Sequence, residues 1–218
     1  MGIKRIGALI FAVLLEFCVL FGMVQFQQNI LMSLPLAVRA VLMIVLQWTL
    51  LIVPIIFMHL SKITLSDIGF LKTNLHIQVL TGIVLGIAMS FVFTIVPILS
   101  GYKDMVGSRS YTQVWQFCYE FVYMILGVAL VEEFFFRGFI FKLLLDIKNS
   151  RWFAITLSSL IFGISHIFIG NFIQLFSTTL LGIFFCLCRE KIRHCSILSL
   201  IIAHGIHNAL ITLFVSIL

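Results

Sequence analysis

The stretch "ALVEEFFFRGFIF", residues 129–141, sets two carboxylates and a guanidinium inside an otherwise apolar run. Burying an ionised group is costly unless it is paired or has chemistry to perform. Glu133 and Arg137 are four residues apart, so on a helix they share a face and can neutralise each other. Glu132 is rotated about 100° from Glu133 and points elsewhere. The doublet thus divides its labour. Glu133 is held in a structural pair, and Glu132 is left for a reaction.

The rest of the chain explains why these charges stand out. Of 218 residues, 62% are hydrophobic and only 10% charged, with a mean hydropathy of +1.21. A soluble domain has about 25% charged residues, so there is too little polar surface here to coat a globule in water. Apolar runs recur that are long enough to cross a hydrocarbon core of about 30 Å as helices. The expected fold is all-α, a polytopic membrane helical bundle. Seven apolar segments stand out, at about 6–25, 37–60, 76–99, 113–137, 152–169, 171–188 and 196–217. Neither a linker nor an internal repeat separates them, which predicts a single membrane domain over 1–218. Lys4 and Arg5 lead into an apolar run reaching Met23 with no small-residue cleavage site, so that run is read as a first span rather than a cleaved signal.

A net charge of +6 would suggest nucleic acid in a soluble protein. In a membrane protein, basic residues collect in cytoplasmic loops instead, and no nucleic-acid partner is expected. With the amino terminus inside, ten lysines and arginines from Lys4 to Arg193 fall on the inner side, against Arg39, Lys103 and Arg109 outside. That bias favours seven spans with the carboxyl terminus outside, and the simple single-domain chain suggests a bacterial cytoplasmic membrane. The five cysteines lie mostly in spans; Cys186 and Cys188 with Cys195 flank the basic cluster at 189–193. No CxxC pairing or second ligand pair makes them a metal site, and they read as small fillers of helix interfaces.

Two further segments carry polar groups in apolar surroundings. "LIFGISHIF" (160–168) places Phe162 and His166 four apart, and "IIAHGIHNALI" (201–211) does the same for His204 and Asn208. At about 1.5 Å per helical residue, Glu132 lies about 15 Å from the inner-loop residue Lys142, His166 about 22 Å from Arg151, and His204 about 16 Å from Arg193. Three helices deliver polar side chains to similar depths, near mid-membrane. A carboxylate beside a histidine takes a proton from water, and a histidine with an asparagine one turn on donates to an oxyanion. The set suits hydrolysis of an acyl bond, above all a peptide. Zinc is the alternative, since Glu132, His166 and His204 are acceptable ligands with water in the fourth position.

Together, Glu132-Glu133-x-x-x-Arg137, Phe162-x-x-x-His166 and His204-x-x-x-Asn208 resemble the three-motif signature of the CPBP (Abi) family, over about 115–217. That family contains CAAX prenyl endopeptidases and bacteriocin-processing and immunity proteins. "LSDIGF" (65–70) resembles a looser upstream feature of it. The resemblance implies an intramembrane peptidase of about eight helices, acting on a peptide or membrane-associated protein within the bilayer. It also implies that Glu132 and His166 activate water, His204 and Asn208 hold the oxyanion, and Glu133 and Arg137 orient the site. Family members are commonly called metallopeptidases, yet a metal-free glutamate mechanism fits the same residues. Asn208 is a poor zinc ligand and gains a purpose as an oxyanion donor, so no cofactor is favoured.

Other readings leave more unexplained. Gly163-Ile164-Ser165 resembles the GxS of rhomboid serine peptidases, but a serine nucleophile would leave Glu132 and Asn208 without roles. A proton-coupled transporter lacks the expected inverted repeat. A non-enzymatic immunity or scaffold protein remains the main alternative. His207 points about 100° from Asn208 and is assigned to packing or a lipid-interface contact. Glu16 and Glu120 read as structural partners or cavity lining, and Phe134 to Phe136 as bulk.

Overall fold

The structure, a computed structural model, describes residues 2–107, 113–168 and 172–218. Arg109, counted above on the outer side, and residues 169–171, where two of the apolar segments meet, lie outside the described residues. Helix follows helix: α1 (Gly2–Asn29), α2 (Leu36–Thr49), α3 (Ile52–Ser61), α4 (Leu75–Ser90), α5 (Val96–Leu99), α6 (Lys103–Val106), α7 (Val114–Val122), α8 (Leu130–Glu132), α9 (Phe141–Ile147), α10 (Arg151–Ser165), α11 (Phe172–Lys191) and α12 (Ile197–Ile217). No strand occurs among the described residues. Wider π-helical turns occupy Phe91–Ile95, Tyr123–Ala129 and Glu133–Ile140.

All seven apolar segments are helical where described, but four stretches are long and apolar enough to cross a membrane: Arg5–Ser33, Leu36–Ser61, Leu75–Leu99 and Ile197–Ile217. The rest fall short for separate reasons. Helix α10 has 15 residues, about 22 Å, because it stops at Ser165 rather than running on to 169. Helix α11 ends in Arg189, Glu190 and Lys191, and the stretch after Val114 carries the acidic and basic residues of interest.

The chain resolves into two compact units. The first comprises Met1–Phe70 and Val131–Arg193. Helix α1 buries Leu9, Ala12, Glu16 and Met23, spaced as one helical face, and exposes Ile10, Phe11, Leu14 and Phe21 on the other. Exposed bulk of this kind suits lipid. The core is dominated by phenylalanine, with Phe135, Phe139 and Phe141 almost wholly enclosed, so Phe134 to Phe136 are bulk as read.

The loop after α3 locks onto this core. Asp67 accepts hydrogen bonds from the Thr64 amide (2.8 Å) and hydroxyl (2.6 Å), and these, with Lys142, hold its carboxyl below the usual range. Ile68 is fully buried. Gly69 sits at φ +101°, and an added Cβ would come within 2.5 Å of the Arg189 guanidinium. "LSDIGF" is therefore a latch.

The second unit comprises Leu71–Leu130 and His194–Leu218. Its helices α4 and α12 pack backbone to backbone at Gly82 and Gly86, where a Cβ would meet the Ser199 carbonyl at 2.7 Å and the Ala203 carbonyl at 2.9 Å. Small residues four apart are a standard device for close helix contact in lipid. At one end the fully buried Gln78 accepts from Ser196 (2.5 Å) and donates to the Thr73 carbonyl (2.6 Å), while the Ser199 hydroxyl donates to the Gln78 carbonyl (2.9 Å). Register and separation of α12 are thereby fixed. Gly86→Leu is expected to lower stability by about 1–3 kcal/mol through overpacking, read as a drop in thermal midpoint in detergent. Gly22, with no neighbour within 4 Å of a built Cβ, supplies the control: Gly22→Leu should be close to neutral. Equal effects would refute the close-contact role.

Candidate active site

Glu132 closes the short α8, and the chain widens into a π-helix at Glu133; such turns are frequent at functional sites. The expected pair is present: Arg137 Nη1 lies 3.2 Å from Glu133 Oε1, with both side chains almost fully buried. The guanidinium carbon stands 3.9 Å from the centre of the Phe162 ring and 5.4 Å from that of Phe185, so the cation is met by a carboxylate and two π faces. Arg189 donates a hydrogen bond to the Arg137 carbonyl and lies over Phe141 at 5.0 Å. Nothing in the sequence singled out Arg189. Its signal would have been a basic residue closing one apolar helix while another segment offers a glycine at positive φ.

Glu132 is half-buried and lines a cavity of about 70 Å³, measured as the space open to the centre of a water molecule. A single water needs about 10–15 Å³ on that measure, so there is room for several. His166, Ser165, Glu16 and Gln47 share the lining, and Phe17, Leu20, Met23, Leu50, Phe135 and Phe136 make the wall greasy. Glu132 and His166 are thus brought to one cavity within the first unit. His166 caps the end of α10 and opens a 3₁₀ turn instead of continuing an α-helical span. Its Nδ1 lies 3.0 Å from the Phe162 carbonyl. A carbonyl only accepts, so this contact requires the proton on Nδ1, the tautomer that leaves the Nε2 lone pair for a water, a substrate or a metal. The rings of Phe162 and His166 also meet edge to face at 4.7 Å. The i,i+4 spacing of Phe162 and His166 is therefore a hinge pin: it orients the imidazole.

Ser165 is buried, and its hydroxyl donates to the Phe162 carbonyl at 2.7 Å. Its proton is committed to the helix backbone, which disfavours the serine-nucleophile alternative.

In the second unit His204 is buried and Asn208 half-buried on α12. His207 is also buried; its Nδ1 lies 3.4 Å from the Ser90 hydroxyl, and its ring meets Phe93 edge-on at 6.3 Å. Packing accounts for it. Glu120 is half-buried on α7. Cys186 is enclosed, with sulfur 3.8 and 3.9 Å from the Ser158 and Ser159 hydroxyls, while Cys188 and Cys195 are buried. Among the described residues no three His, Cys, Asp or Glu side chains stand so as to hold a metal ion. Of the set expected for zinc, Glu132 and His166 belong to the first unit and His204 to the second.

Residues 114–210 match the family described as Type II CAAX prenyl endopeptidase Rce1-like, and all three motifs lie inside the match. The motif-bearing region is Rce1-like. No curated protein and no solved structure matches the chain. The Rce1-like match covers somewhat less than half of the sequence. It leaves out α1 to α6, and with them Glu16 and Gln47 of the cavity and the "LSDIGF" latch. With four helices long and apolar enough to cross a membrane and a region similar to that family, the chain has the features of a membrane protein.

Proposed function

We propose that the chain is an intramembrane endopeptidase that hydrolyses a peptide bond in a small peptide or membrane-associated protein. The observation that carries this is the cavity in which the Glu132 carboxylate and the His166 imidazole share space for water, both residues lying inside the Rce1-like match. Glu132 takes a proton from water as oxygen attacks the carbonyl carbon, and then passes that proton to the leaving amine. His166 accepts a hydrogen bond at Nε2 and holds the water in line. His204 and Asn208 donate to the oxyanion as charge develops there. Glu133 and Arg137 are positioning residues: the Arg137 cation lies over Phe162, whose carbonyl sets the His166 ring. Where zinc is bound, Glu132, His166 and His204 would be its ligands and it would supply Lewis-acid activation of the water.

The same reading keeps seven to eight crossings of a bacterial cytoplasmic membrane in one membrane domain, with the amino terminus inside. The orientation is supported by the inner excess of lysine and arginine. Side-specific labelling of cysteines placed at Lys103 and Lys148 would overturn the orientation if the two sides came out reversed. Function is tested by comparing the peptides released by cells carrying the wild type and Glu132→Gln. Fragments dependent on Glu132 are expected. A phenotype that persists, at equal protein level, in Glu132→Ala with His166→Ala would place the chain among non-enzymatic immunity or scaffold proteins instead.

A further inference from the structure

The catalytic reading leaves a buried acid in the cavity without a task. Glu16, on α1 and outside the Rce1-like match, is 4% exposed. It sits on the inward face of the helix and lines the same cavity as Glu132 and His166. Its Oε2 is buried with no hydrogen-bond partner among the described residues. A buried carboxylate without a partner is destabilising, and leucine or phenylalanine would complete this wall at no such cost.

The missing partner has a recognisable chemistry. No lysine or arginine lines the cavity among the described residues. Arg137, in the same unit, is occupied by Glu133 and by the rings of Phe162 and Phe185. The lining therefore carries two carboxyl groups and no permanent cation, in a chain whose net charge is +6. Acidity is concentrated where substrate would lie, against the trend of the whole molecule. We infer that Glu16 forms a cation subsite, binding an ammonium or guanidinium group of the substrate close to the scissile bond. The wall of Phe17, Leu20 and Met23 receives the aliphatic stem of such a side chain, as long basic residues lay their methylenes on apolar surface. The inference rests on the peptidase reading for the identity of the ligand, though not for the presence of the subsite. Substrates would be hydrophobic peptides with a lysine or arginine near the cut.

The test uses purified full-length protein and a library of hydrophobic dodecapeptides. Each peptide is made in a lysine and a norleucine version, and cleavage is followed by mass spectrometry. Wild type should prefer the lysine version by about tenfold or more in kcat/KM, the size of one charge-assisted contact. Glu16→Gln should bring that ratio to about one. A purely structural Glu16 would lower both rates in parallel and leave the ratio standing. A neutral Glu16 acid that only donates a hydrogen bond would show no lysine preference. Either outcome overturns the inference. Absence of any cleavage by wild type would sink the peptidase reading and leave Glu16 to be judged on binding. In the Glu132→Gln protein, lysine peptides should then raise the thermal midpoint more than their norleucine twins. Adding Glu16→Gln should erase the difference, and equal shifts from the start would refute the subsite.

Discussion

Glu132→Gln is expected to lower peptide cleavage by the purified protein roughly 10²–10⁴-fold, the contribution typical of a positioned general base. The substitution keeps the shape of a side chain lining a cavity of about 70 Å³ but removes its ability to take a proton. The pair that holds this part of the helix is Glu133 with Arg137, so the variant should still fold, which its thermal midpoint reports. A near wild-type rate would remove Glu132 from the mechanism. The same preparations decide the role of zinc. Stoichiometric zinc, with activity lost on chelation and restored by the ion, would turn Glu132 and His166 from base and orienting group into ligands. Activity retained in chelated, metal-depleted protein would leave the water to Glu132.

How far the sequence led is best judged residue by residue. The Glu133–Arg137 pair was legible because four-residue spacing is a local property, and it survived even a π-helical turn that the spacing argument did not foresee. The expectation for Phe162 and His166 was right in spacing and incomplete in meaning. Periodicity gave a shared face, but the end of α10 at Ser165 follows from side chains binding the Phe162 carbonyl, which periodicity does not encode. The seven-segment reading found the helices, whereas hydropathy alone did not show that α10 is about a turn and a half short of a full crossing at 20 residues.

Long-range matches were the least legible. Gly82-x-x-x-Gly86 was present to be read as a packing motif, but its partner, the carbonyls of Ser199 and Ala203, lies more than a hundred residues away. Gly69 and Arg189 meet only because a left-handed loop residue leaves room for a guanidinium. Glu16 is visible in the sequence as a charge in a span, readable either as a structural partner or as cavity lining. That it lines the same cavity as Glu132 could be seen only once the first unit was assembled.

Arg137→Ala carries the largest expected effect on the fold. The Glu133 carboxylate it leaves behind is wholly enclosed, and deleting one partner of a buried pair costs about 3–5 kcal/mol. The loss extends further than the ion pair, because the guanidinium also covers the Phe162 ring at 3.9 Å, and the Phe162 carbonyl aligns His166. Little folded protein should therefore be recovered, with a lower thermal midpoint in what remains. Apolar replacement of both partners separates charge from packing. Glu133→Leu with Arg137→Leu removes the stranded carboxylate, and buried pairs exchanged for apolar residues of similar volume are often neutral or stabilising. The double variant should thus be more stable than Arg137→Ala. An Arg137→Ala protein that folded normally and was inactive would overturn the structural assignment and place the guanidinium on the substrate.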